Sequence, residues 1–115
     1  MIEEEQKRRR ETPAEVVARK AARQLVAPLL DRIGEWQLAA AKLEVMALRP
    51  VRPGQGQSEA GEKAREVLAV VQAEAAAFEV QLEAVPEDVR THSRVTDARK
   101  VLGMLIARFE RLISD

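Results

Sequence analysis

The sequence predicts an all-α protein in which three helices form an antiparallel, up-down-up bundle. Alanine, leucine and valine dominate the apolar residues, which make up 46% of the 115 positions, with two Phe, one Trp and no Tyr. Alanine and leucine favour helices, whereas strands draw more on aromatic and β-branched residues. Apolar residues also recur at steps of three and four, and segments rich in proline or polar residues separate the periodic stretches.

The first helix is expected over residues 13–48. Thr12 can cap its first turn, Pro13 takes a position where its missing N–H costs nothing, and Glu15 completes a capping box. The apolar residues step by three and four along one face, which is typical of a helix that packs on a core. This predicted stripe consists of Ala18, Ala22, Leu25, Leu29, Ile33, Trp36, Ala40, Leu43 and Ala47.

Two residues disturb the interior of this first helix. Pro28 removes a backbone hydrogen bond and clashes with the preceding turn. We therefore expect the helix to be kinked or broken near Pro28, with Pro28 beginning a new helix in the second case. Gly34 either weakens the helix further or permits the close approach of a neighbour.

A second helix is expected over residues 59–84, after a loop at 49–57 that contains two prolines and two glycines. Ser58 can cap this helix. Its stripe consists of Ala60, Ala64, Val67, Val71, Ala75, Phe78, Leu82 and Val85.

A third helix is expected over residues 87–113. Pro86 suits a helix start, and the acids that follow it, Glu87 and Asp88, suit the positive end of a helix dipole. The residues from Thr91 to Ser93 are polar and are expected to form a fraying first turn. The stripe of this helix consists of Val95, Ala98, Leu102, Leu105, Phe109 and Leu112.

The predicted helices complement each other in size and charge. Residues 12–115 are expected to form a single domain, preceded by a flexible charged extension at 1–11. Antiparallel packing of the first two helices pairs residues whose numbers add to about 107, so that small residues face large ones. Six acids and two bases give the 58–84 segment a net charge of −4, whereas the 12–49 segment, with six bases and four acids, carries +2.

The first helix is longer than its predicted partner, and its leading part is expected to lack a mate within the chain. The second helix would end beside about residue 23, so roughly ten residues project past the bundle. A half-apolar projection of this kind favours a protein partner or a second copy, because a lone helix of this length is marginal in water. The predicted partner-binding residues are Val16, Val17, Arg19, Lys20 and Arg23.

Composition restricts the class of protein. The chain has no cysteine, which excludes disulfides and thiolate chemistry. No apolar run approaches the ~20 residues that span a bilayer, and the N-terminus lacks the apolar stretch of a signal peptide. We therefore expect a cytoplasmic protein that does not enter a membrane. The formal net charge of zero does not favour a dedicated nucleic-acid binder.

No motif in the sequence predicts catalysis, a metal or a cofactor. The segment from Gly56 to Lys63 resembles a phosphate-binding loop, but Glu62 stands where the lysine must follow the second glycine. His92 has no partners of a catalytic set and is expected to be solvated or to cap a helix. The carboxylate pairs Glu62/Glu66 and Glu79/Glu83 offer too few ligands for a hard cation. Trp36 is expected to pack in the core.

These observations predict a non-enzymatic helical interaction module, an assembly or adaptor subunit that docks through its N-terminal helix. The alternative is a small accessory subunit of a nucleoprotein complex that contacts phosphate backbones through arginines, because the guanidinium group suits phosphate oxygens. For this alternative the candidate contacts are Arg8, Arg9, Arg10, Arg94, Arg99 and Lys100.

Overall fold

The structure, a computed structural model, describes residues 11–48 and 59–114. All regular elements within these two ranges are helices, which confirms the predicted all-α class. In chain order they are α1 (Pro13–Ala47), α2 (Glu59–Glu83), α3 (Glu87–Arg90) and α4 (Ser93–Ser114). The proposed cap of α2, Ser58, lies outside the described residues.

The first helix begins at its predicted cap. The hydroxyl oxygen of Thr12 accepts a hydrogen bond from the backbone N–H of Glu15 at 3.1 Å, and Pro13 is the first helical residue. The capping oxygen therefore satisfies one of the free N–H groups that every helix start exposes.

α1 then continues through Pro28 to Ala47 without interruption. Of the two outcomes expected at Pro28, a break in the helix is therefore wrong. The proline leaves the carbonyl oxygen of Gln24 without its helical donor. Both residues are exposed, so water can hydrate that oxygen.

The expected single helix over residues 87–113 is wrong, because the chain forms two helices there. The backbone N–H and the hydroxyl of Thr91 both donate to the carbonyl oxygen of Glu87, at 2.9 and 2.8 Å, at the end of α3. His92 caps α4, since its Nδ1 accepts a hydrogen bond from the Arg94 N–H at 3.2 Å. Capping was one of the two roles expected for His92. Hydrogen bonds between a side chain and a nearby backbone group, as at Thr91 and His92, compete with the bonds of a continuous helix.

Most of the predicted stripe residues form one buried cluster between the helices. Ala47 is exposed, Ala60 is buried outside this cluster, and Leu68 of α2 is buried where Val67 was predicted. Trp36, Phe78 and Phe109 all belong to it, as expected for core aromatics. α1, α2 and α4 pack against one another pairwise, and α3 packs on α1. The fully buried positions of α1 and α4 follow the predicted three-four spacing, with Val26 in place of the half-buried Leu25.

The leading part of α1 is covered by the same chain, which corrects the expectation that it has no mate. Ala18 and Ala22 are buried, and both belong to the same cluster as Val89 of α3. Arg90 holds the connection between α2 and α3 by donating to the carbonyl oxygens of Leu82 and Val85, each at 3.1 Å. The chain therefore turns back over α1 after α2 ends, which the prediction of one long third helix did not anticipate.

Charged pairs link the three long helices. Glu74 of α2 accepts a hydrogen bond from Arg32 of α1. Glu79 of α2 accepts one from Arg99 of α4 at 2.6 Å. Acids of α2 thus meet bases of both neighbours, as its predicted charge indicates, although such exposed pairs each contribute only about 0–1 kcal/mol.

Candidate protein-docking surface

Most of the large apolar side chains that stay exposed in the described residues lie on α1 and on the adjoining edge of α4. The exposed fractions are 46% for Leu30, 58% for Leu38 and 61% for Val45 of α1, 84% for Leu48, which directly follows this helix, and 69% for Met104 of α4. Single exposed leucines are ordinary on protein surfaces. A group of them on one helix face is informative.

The exposed apolar residues of α1 share a face with a glycine and an alanine. We call this surface, residues Leu30, Gly34, Leu38, Ala41, Val45 and Leu48, the outer face of α1. Its members step by four or three residues, so they follow one line along the helix. At 100° per residue, this line runs roughly 125° around the axis from the buried stripe. α1 therefore carries two apolar faces, and the bundle covers only one.

α4 borders one side of the outer face. Arg108 of α4 forms a two-pronged ion pair with Glu44 of α1, with Nε to Oε2 at 2.6 Å and Nη2 to Oε1 at 2.5 Å. Beside it lies a groove of about 570 Å³ that is lined mostly by residues of α4, among them Met104, and by Gln37 of α1. The ion pair fixes the position of α4 against this edge of the outer face, because a guanidinium fork holds a carboxylate in one orientation.

The same ion pair sets the charge at this edge. The hydrogen bond from Arg108 is the main cause that lowers the pKa of Glu44 below its ordinary value of 4.5. Desolvation opposes it, and the charges of Arg108 and Arg111 add smaller lowering effects. The pKa of Arg108 is raised in turn by its hydrogen bond to Glu44. Both groups are therefore charged at neutral pH.

Glu35 and Lys42 lie on the opposite side of the outer face. Both are exposed, and neither forms an ion pair with another residue in the described part of the chain. The residues three and four positions away from Lys42 are Leu38, Ala39, Val45 and Met46, so no acid lies one turn from it. A lysine in such surroundings has no partner for its charge within its own helix.

The five predicted partner-binding residues are only partly brought together. Val16, Lys20 and Arg23 follow each other at steps of four and three, and they continue the line of the outer face toward the N-terminus. Val17 is exposed on one side of that line. Arg19 lies on the other side and donates from Nε to both carboxylate oxygens of Glu11, at 2.9 and 3.0 Å.

The predicted phosphate contacts do not form one surface where the structure describes them. Arg94, Arg99 and Lys100 of α4 project in three directions, about 100–140° apart around the helix axis. Arg99 is engaged with Glu79. Arg8, Arg9 and Arg10 lie outside the described residues.

No group of three or more potential metal ligands occurs within residues 11–48 and 59–114. In the carboxylate pair Glu79/Glu83, the Glu79 carboxylate accepts a hydrogen bond from Arg99, so it is already engaged within the protein. Among the helices that the structure describes, none is both long enough and apolar enough to cross a membrane.

The outer face could have been found in the sequence. Residues 34, 38, 41, 45 and 48 are all apolar or glycine and step by four, three, four and three. This second stripe is as regular as the first, and the prediction considered only the first. Met104 carries no such signal, because its position beside α1 depends on how α4 packs.

No protein-family model, curated protein or solved structure matches the chain.

Proposed function

We propose that this chain is a non-enzymatic helical interaction module, an assembly or adaptor subunit that docks on a protein through its N-terminal helix, α1. The observation that carries the proposal is the outer face of α1, with Leu38, Val45 and Leu48 each more than half exposed. Fully burying a side chain of this size stabilises a complex by about 1.5–3 kcal/mol. Three or four of them on one line therefore provide an anchor for a partner helix.

This proposal moves the centre of docking along α1. The sequence placed it between Val16 and Arg23, in a segment whose apolar side α3 helps to cover. The exposed apolar side chains lie instead between Leu30 and Leu48. Lys20 and Arg23 continue the same line and would form the charged end of the surface.

The proposal includes an up-down-up arrangement of the three long helices, with α3 as part of the last connection. Three ion pairs support it. Residues 32 and 74 pair between α1 and α2, at numbers that add to 106, close to the expected value of about 107. The pairs 79 with 99 and 44 with 108 are consistent with α4 running opposite to α2 and alongside α1.

The nucleoprotein alternative stays a prediction. The three described candidates diverge around α4, and phosphate contacts need a common surface that follows a nucleic-acid backbone. The cytoplasmic location and the absence of enzymatic activity also stay predictions of the sequence.

Site-specific photocrosslinking tests the proposal. A benzophenone amino acid replaces Leu38 on the outer face, and in a matched protein it replaces Val80, an exposed valine of α2 with a similar exposed fraction of 64%. We expect one discrete adduct from position 38 when the protein is irradiated in its native cells, because a docked protein lies within reach of that side chain only.

A second substitution shows whether the adduct depends on the surface. Val45→Asp, about two helical turns from the crosslinker, should remove the adduct because burying a charge against an apolar partner is costly. Equal labelling from positions 38 and 80, or an adduct that Val45→Asp leaves unchanged, would contradict docking through α1.

A further inference from the structure

The outer face of α1 alternates small and large residues. Gly34 and Ala41 are small, Leu38 and Val45 are large, and the four follow each other in alternation. When two copies of such a line meet in opposite directions, each large residue can lie against a small one. A register in which facing numbers add to 79 puts Leu38 against Ala41 and Val45 against Gly34, twice each. In a parallel pair each residue would face its own copy, leaving gaps at the small positions and crowding at the large ones.

Gly34 supports close approach from outside the chain. A Cβ built on Gly34 meets no atom within 4 Å, so packing within the chain does not require a glycine there. A glycine in a helix interior nevertheless costs about 1 kcal/mol relative to alanine. Gly103 of α4 is equally open, but Arg99 and Lys100 lie one turn before it, so it is not part of an apolar line.

The charges beside the outer face fit the same register. In an antiparallel helix pair, equivalent flanks of the two copies face each other. Glu35 of each copy then lies close to Lys42 of the other, since 35 and 42 add to 77. Both groups have no ion pair within the described residues, and the pairing would satisfy four charges at once.

From these observations we propose that the partner docked on the outer face of α1 is a second copy of this chain, held antiparallel with Leu38 of each copy against Ala41 of the other. This inference rests on the proposed docking role of α1 and names its occupant. The contact spans only about five turns of helix, so the buried area falls at the lower end for specific interfaces, below about 1,200 Å². We therefore expect a dissociation constant on the order of 10–100 µM.

Sedimentation equilibrium of the purified full chain across this concentration range tests the proposal. Gly34→Glu should raise the dissociation constant at least tenfold, because the added carboxylate would be buried against Val45 of the other copy. Gly103→Glu adds the same charge at an open helical glycine of α4 and should leave the constant within a factor of two. Both substitutions replace glycine in open space, so each variant keeps its helix, which circular dichroism checks.

Charge reversal tests the pairing of the flanks. Glu35→Lys and Lys42→Glu should each weaken association about threefold to tenfold, because each places like charges together in both of the proposed pairs between residues 35 and 42. The double variant restores opposite charges and should return to within a factor of two of the original constant.

The outcomes separate this inference from the function on which it rests. A monomer at all concentrations, or equal effects of the two glycine substitutions, overturns self-association through this face. If position 38 nevertheless crosslinks to a different protein, the docking role of α1 stands and the second copy is wrong. If position 38 gives no adduct and the chain stays monomeric, both proposals fail.

Discussion

Glu44 is the residue whose charge most directly links the helix with the outer face to the rest of the bundle. Its carboxylate accepts two hydrogen bonds from Arg108, and its pKa is lowered as a result. A carboxyl group whose pKa is lower in the folded than in the unfolded chain stabilises the fold above the unfolded value. The stabilisation disappears as the pH falls through the folded value.

Glu44→Gln should therefore lower the free energy of unfolding at neutral pH by up to about 1 kcal/mol, a value limited by solvent screening of this partly exposed pair. The difference from the original chain should shrink as the pH drops below the ordinary carboxyl pKa of 4.5. Urea unfolding at several pH values measures it.

Glu66→Gln is the matched control, because Glu66 is exposed on α2 without an ion pair to another described residue. It should change stability by less than about 0.5 kcal/mol at every pH. A Glu44→Gln effect that stays constant into acid would show that the ion pair does not cause it.

Single polar residues that bound helices were predictable to different degrees. Thr12 was predicted as a cap because proline and glutamate follow it at the positions of a known motif. The end of α3 at Thr91 was not predicted, since a threonine in a helix commonly donates to a carbonyl oxygen four residues back without ending the helix. Whether a helix ends at such a threonine depends on what the following residues pack against.

At the scale of elements, α1 shows why one stripe was predicted and two are present. The buried stripe was recognised because its residues are large and match stripes on the other helices. The outer face mixes glycine and alanine with leucine and valine, so it contributes little to a search for one apolar side. A helix that packs on a single core needs one apolar side, whereas α1 has two.

The four-residue helix α3 is the element that sequence reasoning missed. Its only buried residue is Val89, which shares the core cluster with Ala18 and Ala22 of α1. Too short to show a helical period, it could not be distinguished from the first turn of the next helix. The prediction that the start of α1 is uncovered compared only the lengths of the first two helices. That comparison takes no account of a short helix in the connection that follows the second helix.

Val89→Ala tests the covering role of α3. Removing two methyl groups from the buried side of α3, which packs on α1, should leave global stability nearly intact while opening the N-terminal end of α1. Amide hydrogen exchange should therefore accelerate several-fold around Ala18 and Ala22, with little change around Ala40 and Leu43. Uniform acceleration along α1 would mean that α3 is part of the global fold rather than a local cover.

At the scale of the whole molecule, the order and charges of the long helices were predictable because they follow from sequence in a simple way. The net charge of −4 on the 58–84 segment, against +2 on the 12–49 segment, indicated that acids of α2 would meet bases of α1, and Glu74 does so with Arg32. Glu79 also meets a base of α4, Arg99. The sequence predicted a protein partner or a second copy but placed the docking surface too near the N-terminus, because it could not show that α3 covers part of that segment.

The distance between two copies tests most directly whether α1 joins them through its outer face. Gln24→Cys introduces a single cysteine into a chain that has none, at an exposed position of α1 away from the proposed contact. With a spin label at this site, an antiparallel pair in the proposed register predicts about 45 Å between the labels, from 1.5 Å rise per residue. A separation below about 20 Å would indicate a parallel pair, and the absence of any intermolecular distance at concentrations above the expected dissociation constant would contradict self-docking through α1.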